Sequence, residues 1–322
     1  MSGAPERRAV LLLGPTGCGK SAHAMRLAEE LPVEIVSVDS AQVFRGMDIG
    51  TAKPSAEERA RVPHHLLDIR DPEESYSAGE FRDDCLALID DILARDRVPL
   101  LVGGTMLYFR ALLHGLAELP PRDPSLRERL DARAASEGWP ALHAELANRD
   151  PESARRIHPN DAQRIQRALE ILELAGESRT RLWSATPAAP TQPVRFGAFR
   201  FVPEDRAALG AALDARFETM LDAGLLPEVQ ALHRRPALTA EHASMRAVGY
   251  RQLWTFCDGE TDLPSACRAA VTATRQLAKR QFTWLRGSLT SPAEVQESFD
   301  PQNSKCYERF RGAVLQWLRR TV

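Results

Sequence analysis

The chain has 322 residues, 42 of them basic and 44 acidic, with a formal net charge of −2. That length holds one large domain or two with ample core, and the charge balance excludes a generally basic nucleic-acid binder while allowing a local basic channel. No apolar run approaches the ~20 residues of a membrane span, the first eight residues lack a signal peptide's apolar core, and five scattered cysteines without zinc-ligand spacing fit reduced thiols. The expectation is a cytoplasmic protein with no membrane partner.

The first element is an apolar strand, Ala9 to Leu13, running into Gly14-Pro15-Thr16-Gly17-Cys18-Gly19-Lys20-Ser21. Gly, four residues, then Gly-Lys-Ser is the phosphate-loop pattern. The glycines let the backbone coil so that successive N–H groups face one concavity suited to phosphate oxygens. Lys20 adds a positive charge, and the Ser21 hydroxyl can ligate Mg2+. A helix-compatible stretch, Ala22 to Leu31, leaves the loop.

A second strand, Val33 to Val38, ends at Asp39-Ser40; a third, Val98 to Val102, ends at Gly103-Gly104-Thr105; a fourth spans Val194 to Val202. Short unalternating apolar strands separated by helical stretches predict a parallel sheet covered on both faces. Ligands of such sheets gather at the carboxyl ends of the strands, where Gly14, Asp39 and Gly103 would all lie. Asp39 there could be a magnesium ligand, a general base or a helix cap. The third strand supplies no carboxylate, which argues against a phosphate-loop ATPase holding magnesium on that strand.

Between Leu119 and Pro193 the pattern is helical only. Pro120-Pro121 opens the segment, and Pro187, Pro190 and Pro193 close it around helices over Ser125–Ala135, Trp139–Ala147 and Asp161–Ala175. This predicts an all-helical domain, residues 120–193, inserted into an α/β phosphate-loop domain formed by 1–119 and 194–322. In the helix from Asp161, residues Ile165, Ala168, Leu169 and Leu172 form the apolar stripe, and Gln163, Arg167 and Glu170 fall opposite. Further on, Ser265 to Arg286 contains no acid; as a helix it would carry Arg268, Arg275, Lys279 and Arg286 on one stripe, with Arg280 outside it. Such a stripe suits a phosphate backbone. Adjacent His64 and His65 point apart on any regular element and make a poor chelate, so a structural loop is expected. Trp254, Phe256, Phe282 and Trp284 read as core.

With the phosphate loop, the blocks Val38–Lys53, Val62–Asp68, Val102–Tyr108, Gln163–Glu170, Val248–Gln252 and Lys279–Arg286 closely resemble the tRNA dimethylallyltransferases. The resemblance spans nearly the whole chain, in order. It implies transfer of a five-carbon allylic group from dimethylallyl diphosphate to the exocyclic amine of the adenosine just 3′ of the anticodon. By resemblance, Asp39 is the base, Thr16 contacts the bridging oxygen and Arg216 neutralises the diphosphate. Gly14, Pro15, Thr16, Gly17, Cys18, Gly19, Lys20 and Ser21 would grip the diphosphate rather than ATP, with Mg2+ on Ser21. The matching RNA positions are Asp39, Ser40, Ala41, Gln42 and Thr105, then Arg127, Gln163, Arg164, Ile165, Gln166 and Arg167, then Arg246, Gly249, Tyr250 and Arg251, and finally Lys279, Arg280 and Arg286. The implied partners are a tRNA anticodon stem-loop and dimethylallyl diphosphate, with the chain a monomer. The rivals are an adenylate prenyltransferase acting on free nucleotide, a small-molecule kinase, and a nucleotide-switched RNA-binding protein. A mononucleotide needs neither the helical insertion nor the basic C-terminal segment.

Overall fold

The computed structural model describes residues 7–116, 119–120, 122–176 and 194–319. The chain divides into two compact units, residues 1–114 with 191–322, and residues 115–190.

The larger unit opens with β1 (Arg8–Leu13), α1 (Lys20–Glu30), β2 (Val33–Val38), α2 (Ala56–Arg61), β3 (His64–His65), α3 (Ala78–Ala94), β4 (Val98–Gly103) and α4 (Met106–His114). Within 115–190 come α5 (Pro124–Glu137), α6 (Trp139–Arg149), α7 (Pro151–Arg156) and α8 (Ala162–Ala175). The larger unit resumes with β5 (Arg195–Phe201), α9 (Arg206–Asp222), α10 (Leu225–His233), α11 (Tyr250–Cys257), α12 (Leu263–Arg286), β6 (Val295–Phe299) and α13 (Cys306–Arg319).

The six strands lie in the order β3-β2-β4-β1-β5-β6, every neighbouring pair parallel. Every residue of β1 and β2 is buried. Along β1, Ala9, Leu11 and Leu13 join the core on one face while Val10 and Leu12 join the core on the other. This two-sided burial explains why the strands read as unbroken apolar runs. From β1 the chain moves toward β2, whereas from β4 it returns beyond β1 to β5, so the loops after these neighbouring strands leave in opposite directions. A ligand crevice forms at such a switch point. Two strands escaped the sequence reading. β3 is only two residues, His64 and His65, where a loop was expected. β6 carries Gln296, Glu297 and Ser298, too polar to register as an apolar run.

The smaller unit packs Leu126, Leu130, Leu142, Leu146, Ile165 and Leu169 into its own core. Its helices start where the local chemistry starts them. Asp123, Asp150 and Asp161 accept N–H bonds as N-caps, and Gly176 ends α8 at φ 66°. Pro121 and the prolines at 187, 190 and 193 lie outside the described residues. Glu170 departs from the expected solvent face. It is fully buried, with Oε1 taking Arg127 Nε at 2.8 Å and the Asp123 N–H at 2.9 Å, and Oε2 taking Arg167 Nη1 at 2.6 Å. Burial raises its carboxyl pKa, but these donors more than offset that and hold it at about 2.

Candidate active site

The phosphate loop occupies the carboxyl end of β1. Gly19, at φ 83°, caps α1 without a side chain, leaving the N-terminal N–H groups of this helix for an anion. Gly14 is required by space, because a Cβ there would sit 2.8 Å from both Cys18 Sγ and the Phe201 carbonyl. Lys20 is buried and donates to the Pro15 carbonyl at 2.6 Å, so its ammonium is held across the loop. Thr16 and Ser21 line a cavity of about 800 Å³ together with Lys20, Asp39, Arg216 and Gln281.

Asp39 follows β2 and lies partly exposed on that wall. Its Oδ1 accepts the Ala41 N–H at 2.8 Å and the Gln42 N–H at 3.3 Å. Asp39 therefore fixes a local turn, where a helix cap was among the expected roles. It uses one oxygen, and among the described residues no donor bonds Oδ2, so the same carboxylate can also take a proton. Thr105 Oγ1 accepts the Ser40 N–H at 3.0 Å and ties the loop after β4 to that after β2. Gln42 uses its side chain internally, accepting from Ser37 Oγ and donating to the Thr51 carbonyl.

Arg216 projects from α9 into the same cavity, and no ion pair to it occurs among the described residues. Burial pushes its guanidinium below its ordinary value, while the Asp39 carboxylate and Cys18 pull it back up. A second cavity of about 850 Å³ shares Arg216 and is lined by Lys53, Arg59 and Asp68. Those three are tied to one another: Lys53 donates to Asp68 and Asp48, each at 2.6 Å, and Arg59 donates to Asp68 at 2.7 Å. The cations of that second wall are thereby neutralised, leaving Arg216 for the phosphate-loop side.

Gln281, on α12, was missed by the sequence reading. Its side-chain Oε1 accepts the Thr16 N–H and its Nε2 donates to the Gly104 carbonyl, both at 2.8 Å. It is only 6% exposed, and a Cβ on Gly104 would lie 2.5 Å from its Nε2. One amide thus pins the phosphate loop to the loop after β4. The available signal was an uncharged glutamine inside the basic Lys279–Arg286 block.

Among the residues assigned to RNA, Arg246, Arg280, Gly249 and Tyr250 line the cavity. The acid-free stretch is helical as expected, but its basic stripe is shorter than the spacing implied. Arg275 is tied to Asp214, and Arg268 donates to Ser265 Oγ at 2.8 Å. Lys279, Arg280 and Arg286 are exposed with no ion pair among the described residues, as is Arg251. Two side chains assigned to RNA face the core instead. Ile165 is fully buried in the smaller unit. Tyr250 is also fully buried and donates to Glu228 Oε1 at 2.5 Å, while Glu228 accepts the N–H groups of Asp48, Ile49 and Gly50. Arg127 and Arg167 are committed to Glu170. Gln163 and Arg164 are exposed on α8, and Gln166 donates to Asp131 at 2.7 Å. Trp254 and Phe282 are core and Phe256 is half-buried, but Trp284 is exposed. His65 accompanies the buried Glu34 at 2.7 Å, and His64 contacts the Val62 carbonyl at 2.8 Å, which satisfies both imidazoles without a metal.

For a divalent cation the protein offers the Ser21 hydroxyl, and among the described residues no group of three His, Cys, Asp or Glu could hold a metal ion. That donor set fits Mg2+ drawing most of its oxygens from a diphosphate and water, as Mg2+ does in phosphate sites. Among the described residues, no helix is long and apolar enough to cross a membrane.

A parallel sheet, a phosphate loop at its switch point and a carboxylate at the end of β2, one strand further along the sheet, define a phosphate-loop α/β protein acting on a diphosphate-bearing ligand. More particularly, residues 42–288 match the IPP transferase family, and the chain belongs to that family. It is 58% identical over 282 residues to the tRNA dimethylallyltransferase of Bordetella pertussis (87% of this chain, 90% of that one), and 55% identical over 294 residues to that of Burkholderia ambifaria (89% and 90%). The crystal structure of the full-length tRNA isopentenylpyrophosphate transferase of Bacillus halodurans matches with a TM-score of 0.68 at 35% identity, covering 97% of each chain. A eukaryotic dimethylallyltransferase acting on tRNA matches with a TM-score of 0.79 at 25% identity, over 97% of this chain and 80% of that one.

Proposed function

We propose that this chain transfers the dimethylallyl group of dimethylallyl diphosphate to the exocyclic N6 amine of the adenosine 3′ of the anticodon in tRNA, releasing diphosphate. The observation that carries the reading is one cavity lined by the phosphate loop, Asp39 and Arg216, with Arg246 and Arg280 also on its wall.

The N–H groups of the loop, Lys20 and Arg216 stabilise the leaving diphosphate, and the Thr16 side chain faces the bridging oxygen. Magnesium, with Ser21 among its ligands, would add charge neutralisation there. The allylic C–O bond breaks, and its electron pair leaves with the diphosphate. The N6 lone pair is delocalised into the purine ring, so the amine attacks only as its proton is withdrawn. The C–N bond forms as Asp39 Oδ2 accepts that proton. The target base must leave its stack to enter the cavity.

The exposed Gln163 and Arg164 of the helical insertion, residues 120–193, and the Lys279–Arg286 face of α12 are the proposed contacts to the anticodon stem-loop. The working form is a cytoplasmic monomer. Incubating the protein with dimethylallyl diphosphate and either tRNA or free AMP, followed by mass spectrometry of the nucleosides, tests the reading. Prenylated adenosine in tRNA alone is the expected result. Modification of AMP instead would establish the adenylate prenyltransferase, and phosphoryl transfer from ATP without prenyl transfer would establish the kinase.

A further inference from the structure

Three large hydrophobic side chains stand exposed among the described residues: Leu107 at 48%, Leu174 at 41% and Trp284 at 37%. Two of these, Leu107 and Trp284, line the same cavity as Asp39 and the phosphate loop. Their neighbourhood follows from the backbone. The Gln281 amide is 2.8 Å from the Gly104 carbonyl. Leu107 lies three residues beyond Gly104, in the first turn of α4, and Trp284 lies three residues beyond Gln281 on α12. Residues three apart share a helix face, so Trp284 stands one turn from the amide that locks α12 onto the loop after β4.

Trp284 is unusual in a second respect. Among the described residues no ring or cation packs on its indole and its side-chain N–H has no hydrogen-bond partner. Large aromatic side chains are ordinarily spent on core contacts, whereas this indole is left open to water. One turn before it on the same face of α12, Arg280 is exposed, lacks an ion pair among the described residues and lines the same cavity, while Lys279 and Arg286 fall on the opposite face of the helix. An apolar pair beside an unpaired cation, Arg280, on the wall of a cavity matches the chemistry of a nucleic-acid strand. Bases meet the flat apolar surface and a phosphate meets the guanidinium. The five-carbon donor chain is a poorer occupant, since burying it calls for enclosed walls rather than side chains open to water.

We infer that Leu107 and Trp284 form a stacking step at the cavity mouth, which covers the RNA bases flanking the target adenosine once that base has left them for the cavity. This rests on the proposed reaction and adds two base-contacting residues to it. Extruding a base costs its stacking with both neighbours, a few kcal/mol. A side chain that covers the exposed neighbours makes the extruded state the stable one. Trp284 presents a π-face to any base, and Leu107 an aliphatic one, so the contact is tolerant of the neighbouring bases' identity.

The test uses the full chain and an anticodon stem-loop RNA carrying 2-aminopurine at the target position, whose fluorescence rises when it leaves the stack. Wild-type protein should give a large rise at saturation. Trp284→Ala and Leu107→Ala should each reduce the saturating rise and weaken RNA binding, Trp284→Ala by at least ~5-fold, the lower end for removing a base–aromatic stack. Trp284→Phe should restore most of both. Leu107 is half-exposed, so its substitution puts no burden on folding. Affinities for inorganic diphosphate and for dimethylallyl diphosphate, measured by calorimetry without RNA, should be unchanged in all variants. An unaltered fluorescence rise in both alanine variants overturns the inference. So does a loss of affinity for dimethylallyl diphosphate but not for inorganic diphosphate, which would give the pair to the donor's hydrocarbon. Failure of the wild-type protein to prenylate tRNA would instead overturn the proposed reaction, a separate outcome read in a separate assay.

Discussion

Replacing Glu170 by Gln should destabilise the helical unit by an amount that depends on pH. The carboxylate is fully buried and held by two guanidiniums and a backbone N–H, with its pKa lowered from 4.5 to about 2. A folded value below the unfolded one means the stabilisation is complete above about pH 4.5 and is lost as pH falls toward 2. The difference of about 2.5 units corresponds to about 3 kcal/mol at neutral pH, falling to about 1.4 kcal/mol at pH 3. Glutamine keeps the shape and one acceptor oxygen but leaves Arg127 and Arg167 facing a neutral amide. The measurement is native-state hydrogen exchange of α8 peptides in the full chain, wild type against Glu170→Gln, at pH 7 and pH 3. The gap in opening free energy should shrink by half or more at the lower pH. A gap that is the same at both pH values, or absent at both, would refute the electrostatic account of this network.

Lys20→Ala removes both a charge at the leaving group and the 2.6 Å bond that spans the loop; prenyl transfer should fall ~100-fold or more with tRNA affinity nearly intact, and an equal loss of tRNA binding would contradict the division between donor and RNA sites. Asp39→Asn preserves an acceptor oxygen for the Ala41 N–H but cannot take a proton, so single-turnover transfer should drop ~100-fold or more without a change in magnesium requirement. Rescue of that variant by excess magnesium would instead make Asp39 a metal ligand. Lys279→Glu should weaken tRNA binding and flatten its log–log salt dependence by about 0.7 to 0.9 for each phosphate no longer neutralised, leaving diphosphate binding alone; an unchanged slope would return this residue to plain solvent.

The phosphate loop, the Asp39 turn and the strands β1, β2, β4 and β5 were legible in the sequence because each is dictated locally. Gly14 and Gly19 stand where the backbone coils, and an unbroken apolar run is what a strand buried on both faces must be. The helices α5, α6 and α8 were legible for the same reason, through caps such as Asp123 and Asp161 and the 3.6-residue apolar period. Which polar side chains face water was decided only when distant elements met. Glu170 sits opposite the apolar stripe of its own helix, yet α5 and the segment at Pro120 supply the partners that take it inside. Tyr250 lies in a block that reads as an RNA contact, but Glu228, 22 residues away, draws its hydroxyl inward. Gln281 looks like one more polar residue on a basic helix until the sheet brings Thr16 and Gly104 to within 2.8 Å of its amide. Trp284 reads as core by its composition, and the fold leaves it at the cavity mouth. Periodicity and capping are properties of a few consecutive residues, whereas burial and pairing are set by whatever the fold brings alongside.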